Sequence, residues 1–166
     1  AMTVITETLR FVIPVAVIGI LAHVIGEALP RRWFDASRFP YRAYAFERNG
    51  RFYEALGIRK WKNVLPDKSR IAPGTYRKAI RGSAQQHSAA HMERLLQETC
   101  VAECVHWALL VISPILLFTM ESPAAYVMTP LYGLSNLPYI MIQRYNRPRL
   151  AVLSARMQRK AQEAAA

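Results

Sequence analysis

Glu103 and His106 lie three residues apart within the apolar run 101–120, a spacing that makes them neighbours on one helix face. Ionisable groups inside a membrane-spanning segment are expensive unless paired or hydrated, so they tend to mark function. A carboxylate beside an imidazole fixes its tautomer and raises its basicity, as a general base requires. The plainer alternative is a Glu–His hydrogen bond that only ties helices together. His87, His91 and Glu98 follow at i, i+4 and i+11 on nearly one face. With Glu103 and His106 they outline a second alternative, a metal-dependent enzyme. Such a centre needs matching ligands from another helix, and only His23 and Glu27 are on offer, which leaves the set short. Cys100 and Cys104, one turn apart, invite a thioester or S-palmitoyl reading but suit small-residue packing better. Asn136 sits in a third apolar run, where an amide must bond a helix or a substrate. Arg144, Arg147 and Arg149 follow it and suit a phosphate or carboxylate.

The elements that carry these residues are helices of membrane length. The apolar runs 11–29, 101–120 and 123–142 each approach the ~20 residues that cross a ~30 Å hydrocarbon core. The hydrophobic content of 52% is ordinary, but it is concentrated in these runs with the charges between them. Only Arg10 precedes the first run, so a retained helix is expected there in place of a cleaved signal. Segment 30–100 carries 15 of the 22 Lys and Arg, and the tail 143–166 carries six more. The excess of cations predicts that both face the cytoplasm, with the N-terminus outside and three spans in a single membrane domain, 1–166. The net charge of +11 is then met by an anionic inner leaflet. No nucleic-acid partner is expected, because no binding motif accompanies the charge.

Between the first two spans the aromatic and Arg-rich stretch 30–45 suits headgroup depth. Asn49-Gly50 predicts a turn, 51–56 a short helix and Gly57 its C-cap. Ile58, Trp61 and Leu65 then share one face, with Arg59, Lys60 and Lys62 off it, which predicts an amphipathic helix lying in the interface. Ser83 and Gln86 form a capping-box pattern, from which a helix is expected to run unbroken to Pro114. The expected fold is therefore all-α: three transmembrane helices plus an amphipathic interfacial cytoplasmic segment.

Glu47, Arg48, Asn49 and Gly50, then Tyr53-Glu54, Gly57-Ile58, Trp61-Lys62 and Leu65-Pro66, resemble the glycosyl-4,4'-diaponeurosporenoate acyltransferases of bacterial carotenoid biosynthesis. Glu98, Glu103, His106-Trp107, Asn136-Leu137-Pro138 and the run 143–148 are similar to that family as well. The resemblance spans about residues 45–150, apart from 67–90, and rests on the order and spacing of short motifs. It implies transfer of a fatty acyl group from an activated donor, acyl-CoA or acyl carrier protein, onto a sugar hydroxyl of a membrane glycolipid. It calls for no cofactor and is compatible with a homo-oligomer.

Residue chemistry then distributes the roles. His106, oriented by Glu103, is the expected base. Lys62, Arg144 and Arg147 would meet the anionic donor, with Glu47 and Glu98 nearby in the substrate-binding set. Trp61 and Trp107 would hold lipid chains, and Asn136 or Asn146 would donate to the oxyanion. A non-catalytic subunit that recruits a partner or anionic lipid is the remaining alternative.

Overall fold

A computed structural model describes residues 2–65 and 89–165. Its regular elements are α1 (Met2–Ala28), α2 (Arg51–Ala55), α3 (Ile58–Trp61), α4 (Ala89–Ile112), α5 (Ala125–Leu134) and α6 (Leu137–Ala165). 3-10 turns lie at Arg31–Trp33, Ala45–Gly50 and Ser113–Phe118, and there is no strand among the described residues. The regular structure of the described residues is thus all helical. It divides into two compact units, Ala1–Pro30 with Val101–Ile140, and Arg31–Cys100 with Met141–Ala166.

Two helices among the described residues, Thr3–Ala28 and Ala90–Phe118 taken through its 3-10 end, are long and apolar enough to cross a membrane. The third apolar run is not one helix, and the expectation of a continuous span over 123–142 is corrected. It breaks between Leu134 and Leu137. Proline explains the position, because Pro138 has no N–H to donate to the carbonyl of Leu134. The Asn136 side chain occupies the break, its Nδ2 donating to the carbonyls of Tyr132 (3.1 Å) and Gly133 (3.2 Å). Pro114 acts in the same way at the end of α4, where it removes the bond to the Leu110 carbonyl. The Ser113 hydroxyl donates to that carbonyl instead, at 2.8 Å, and the chain tightens into the 3-10 turn. The helix expected to start near Ser83 is described from Ala89, and Ser83, Gln86 and His87 lie outside the described residues.

Small residues set the approach of the elements in the first unit. A Cβ on Gly26 would lie 3.0 Å from Val105 Cγ2, and one on Gly133 would lie 2.5 Å from Ser113 Oγ. The second contact is impossible without movement. Gly133→Ala is therefore expected to destabilise the protein by about 1–3 kcal/mol, as overpacking does. Thermal unfolding in detergent measures this, and the double variant with Ser113→Ala should recover part of the loss. A Gly133→Ala protein that melts like the wild type would show that α5 does not pack so closely.

The second unit packs around Tyr53, Ile58 and Tyr145, with Trp61, Met141 and Ile142 against them. Here the helix expected over 58–65 is shorter than expected. α3 is a single turn, and its apolar face is used inside the unit: Ile58 is fully buried, and Trp61 Nε1 donates to the Leu56 carbonyl at 3.1 Å. Trp61 and Leu65 remain half-buried, and Val64 beside them is exposed. The turn at Asn49-Gly50 is present. Arg48 (φ 47°), Asn49 (φ 55°) and Gly50 (φ 94°) form a left-handed run, and glycine is required at the last for its φ, since a Cβ there would meet Tyr145 at an ordinary 3.5 Å.

Candidate functional site

In the first unit His106, half-buried on α4, faces the helix break. Its Nδ1 lies 2.9 Å from Asn136 Oδ1, and its ring stacks on Tyr139 with centroids 4.6 Å apart and planes 8° off parallel. Glu103 is 1% exposed and accepts a hydrogen bond from Trp107 Nε1 at 3.4 Å. The unit therefore assembles His106, Asn136 and Tyr139 in one group, beside a deeply buried carboxylate held by an indole. Tyr139 was missed by sequence reasoning. Its signal was available, because it lies three residues past the helix-breaking Asn136 and on the first turn of α6.

The second unit centres on Glu47, which is 2% exposed. Glu47 accepts from the Tyr53 hydroxyl, from the backbone N–H of Tyr44 (2.7 Å) and from Arg144, whose NH2 reaches Oε2 at 3.3 Å while Nε reaches Oε1. Burial pushes the Glu47 carboxyl up, but the bonds from Arg144, Tyr53 and Tyr44 outweigh it and hold the group below the usual carboxylate range. Burial, and then the Glu47 bond, push the Tyr53 hydroxyl well above the ordinary tyrosine range. Arg144 also donates to the carbonyls of Pro40 (3.3 Å) and Arg42 (3.2 Å) and lies 4.5 Å from the centre of the Tyr44 ring. Arg147 donates to Thr99 Oγ1 (3.0 Å), to the Thr99 carbonyl (3.1 Å) and to the Tyr41 carbonyl (2.7 Å). Glu98 pairs with Arg31 and with Arg94, each at 2.9 Å. Lys62 lies 4.9 Å from the centre of the Tyr145 ring, and Asn146 is half-buried on α6.

Residues expected to grip a ligand thus hold their own chain. Arg144 and Arg147 fasten the stretch around residues 40–47 to the unit's long helices, and Arg31 uses the charge of Glu98. Sequence reasoning missed Arg31, Tyr41, Tyr44 and Thr99, none of which stands out by type or spacing, and read Tyr53 only as part of a motif. A cleft of about 890 Å³ remains in this unit. Its polar lining includes Arg32, Arg144, Arg147 and Arg149 together with the acids Asp35, Glu47 and Glu93, with Phe34 and Val152 among the apolar part. Its size is that of a small-molecule site. Among the described residues no group of three or more His, Cys, Asp or Glu is placed to hold a metal ion.

Three comparisons bear on what these groups do. The family model described as glycosyl-4,4'-diaponeurosporenoate acyltransferase matches residues 30–156. Proteins of that name from Staphylococcus aureus strains N315 and Newman are each 28% identical over 142 residues, covering 82% of this chain and 81% of theirs. The protein of the same name from strain bovine RF122 / ET3-1 is similar to the same extent. No solved structure matches the chain.

Proposed function

Because this chain belongs to the glycosyl-4,4'-diaponeurosporenoate acyltransferase family and is an acyltransferase, we propose that it moves a fatty acyl group from a thioester donor onto a sugar hydroxyl of a membrane glycolipid. The observation that carries this reading is the seating of His106 in an apolar helical unit, its ring held by Asn136 and Tyr139. Acyl transfer to an alcohol needs a neutral imidazole that can accept the hydroxyl proton. His106 takes that proton as the sugar oxygen bonds to the thioester carbonyl carbon. The tetrahedral intermediate then collapses, the C–S bond breaks, and the thiolate leaves with the proton returned by His106. Glu103, three residues away on the same helix, supplies the charge that favours the imidazolium between these steps. Trp107, largely exposed at 45%, offers an apolar surface to a lipid chain.

The cleft of the second unit is the proposed seat of the donor's anionic portion. Arg144, Arg147 and Glu47 shape its wall, and Arg32, exposed on the Arg31–Trp33 turn, brings a guanidinium to it. Lys62, Trp61 and Glu98 support this unit's packing. The reaction is tested directly by supplying reconstituted protein with a labelled acyl thioester and a glycosylated carotenoid or other glycolipid. Glycolipid ester is the expected product. Thioester hydrolysis without ester, for every acceptor tried, would overturn the reading.

The setting is a membrane. α1 exposes Val4, Ile5, Leu9, Val12, Ile13, Val17 and further large apolar side chains down its length, a surface that water would drive to aggregate and lipid accommodates. The proposed topology has the N-terminus outside, the broken run 123–142 as a third crossing, and segment 30–100 and the tail in the cytoplasm. In a variant freed of Cys100 and Cys104, a membrane-impermeant thiol probe on intact cells should label cysteines placed at Thr3 or Ser122. Labelling at Gln158 instead would reverse the orientation.

A further inference from the structure

Asn136 has one side-chain arrangement that satisfies its surroundings. Its Nδ2 carries two hydrogens and finds two acceptors, the carbonyls of Tyr132 and Gly133 at 3.1 and 3.2 Å. Turning the amide over would set Oδ1 against both carbonyl oxygens, so the orientation is fixed. Oδ1 therefore faces His106 Nδ1 at 2.9 Å, and an amide oxygen can only accept. Nδ1 must carry the hydrogen. In a neutral ring the lone pair then lies on Nε2.

We propose that Asn136 is a positioning residue that holds His106 as the Nδ1–H tautomer, so that Nε2 is the nitrogen that takes the acceptor hydroxyl's proton. The inference rests on the reading of His106 as the base and adds which nitrogen acts and what selects it. It also removes Asn136 from the oxyanion role, because the Nδ2 hydrogens that would serve an oxyanion already bond two carbonyls. The helix break makes the arrangement available. Pro138 interrupts the α5–α6 run, the Asn136 side chain turns back at the interruption to donate to the Tyr132 and Gly133 carbonyls, and the same amide presents its oxygen to the imidazole. Tyr139 completes the seat. Stacked 8° from parallel on the ring, it opposes rotation about the Cβ–Cγ bond, which would exchange Nδ1 with a carbon.

The test reads the tautomer and the kinetics separately. The chain has four histidines, so ¹⁵N-histidine labelling with a His106→Gln reference assigns the His106 ring signals in detergent or nanodiscs. Above the ring's titration, wild-type His106 should show a protonated Nδ1 and a bare Nε2. Asn136→Ala should shift the ring toward the other tautomer and lower kcat by about 10²–10⁴-fold with KM within about twofold, the upper end being the cost of the wrong tautomer in other His-based acyl transfer. A wild-type ring protonated on Nε2 would overturn the assignment. An Asn136→Ala protein with wild-type tautomer and lowered kcat would overturn the positioning role alone. Full esterification by His106→Ala would remove the base and the positioning role together.

Discussion

His106→Ala is expected to lower turnover by about 10²–10⁴-fold while donor binding survives, the usual contribution of a positioned general base. The residue sits in a seat built for an imidazole, with an amide oxygen at 2.9 Å and an aromatic ring at 4.6 Å. Alanine leaves Asn136 Oδ1 without its donor, which costs about 1–3 kcal/mol of stability, so the variant must first be shown monodisperse. Glu103→Gln should fall less, because it keeps an acceptor for Trp107 Nε1 and loses only the charge that favours imidazolium. Single-turnover kinetics with pre-bound donor separates chemistry from binding. A folded His106→Ala protein that forms ester at the wild-type rate would remove His106 from the mechanism.

The largest expected effect on stability belongs to Glu47. Its carboxylate takes bonds from Arg144, Tyr53 and the Tyr44 backbone while 2% exposed. Glu47→Ala leaves the Arg144 guanidinium, whose side chain is 9% exposed, without its counter-charge. Breaking a buried pair in this way costs about 3–5 kcal/mol, enough to loosen the stretch around residues 40–47 and the cleft it borders. Glu47→Gln should cost less, since an amide refills the space and still accepts. The pH dependence has a definite sign. The folded-state value lies below the ordinary 4.5, so this stabilisation is fully present above that value and is lost as pH falls through the depressed one. Acid unfolding followed by tryptophan fluorescence should show a limb below about pH 4.5 that Glu47→Gln flattens. The same acid limb in wild type and Glu47→Gln would mean that the carboxylate is not the group being titrated.

Much of the helical layout was legible in the sequence, and its failures have causes. The first apolar run became a 27-residue helix and the second a helix to Ile112, because hydrophobic length is visible to simple counting. The third run passed the same count yet broke at Ser135-Asn136. The signal was present in Pro138, which cannot donate to the Leu134 carbonyl, and in Asn136, whose side chain can bond nearby helix carbonyls. The amphipathic pattern over 58–65 was also real. Periodicity reports that a face is apolar, however, and is silent on what meets it; Tyr53 and Tyr145 pack with Ile58 here, while Trp61 and Leu65 stay half-buried.

The sequence by itself determined where helices form and stop, where the turn at Asn49-Gly50 falls, and which ionisable groups lie inside apolar runs. These follow from near neighbours: propensity, proline chemistry and the run of apolar residues needed to cross a bilayer. Only the tertiary structure decided what each charged or polar group does. Arg31 meets Glu98 across 67 residues of chain, Arg144 meets Glu47 across 97, and His106 meets Asn136 across 30. An arginine reads the same in sequence whether its guanidinium awaits a phosphate or already holds a carboxylate, and a histidine whether its partner is Glu103 or Asn136. Hydrogen bonds act over about 3 Å, and it is folding that brings residues distant along the chain within that reach.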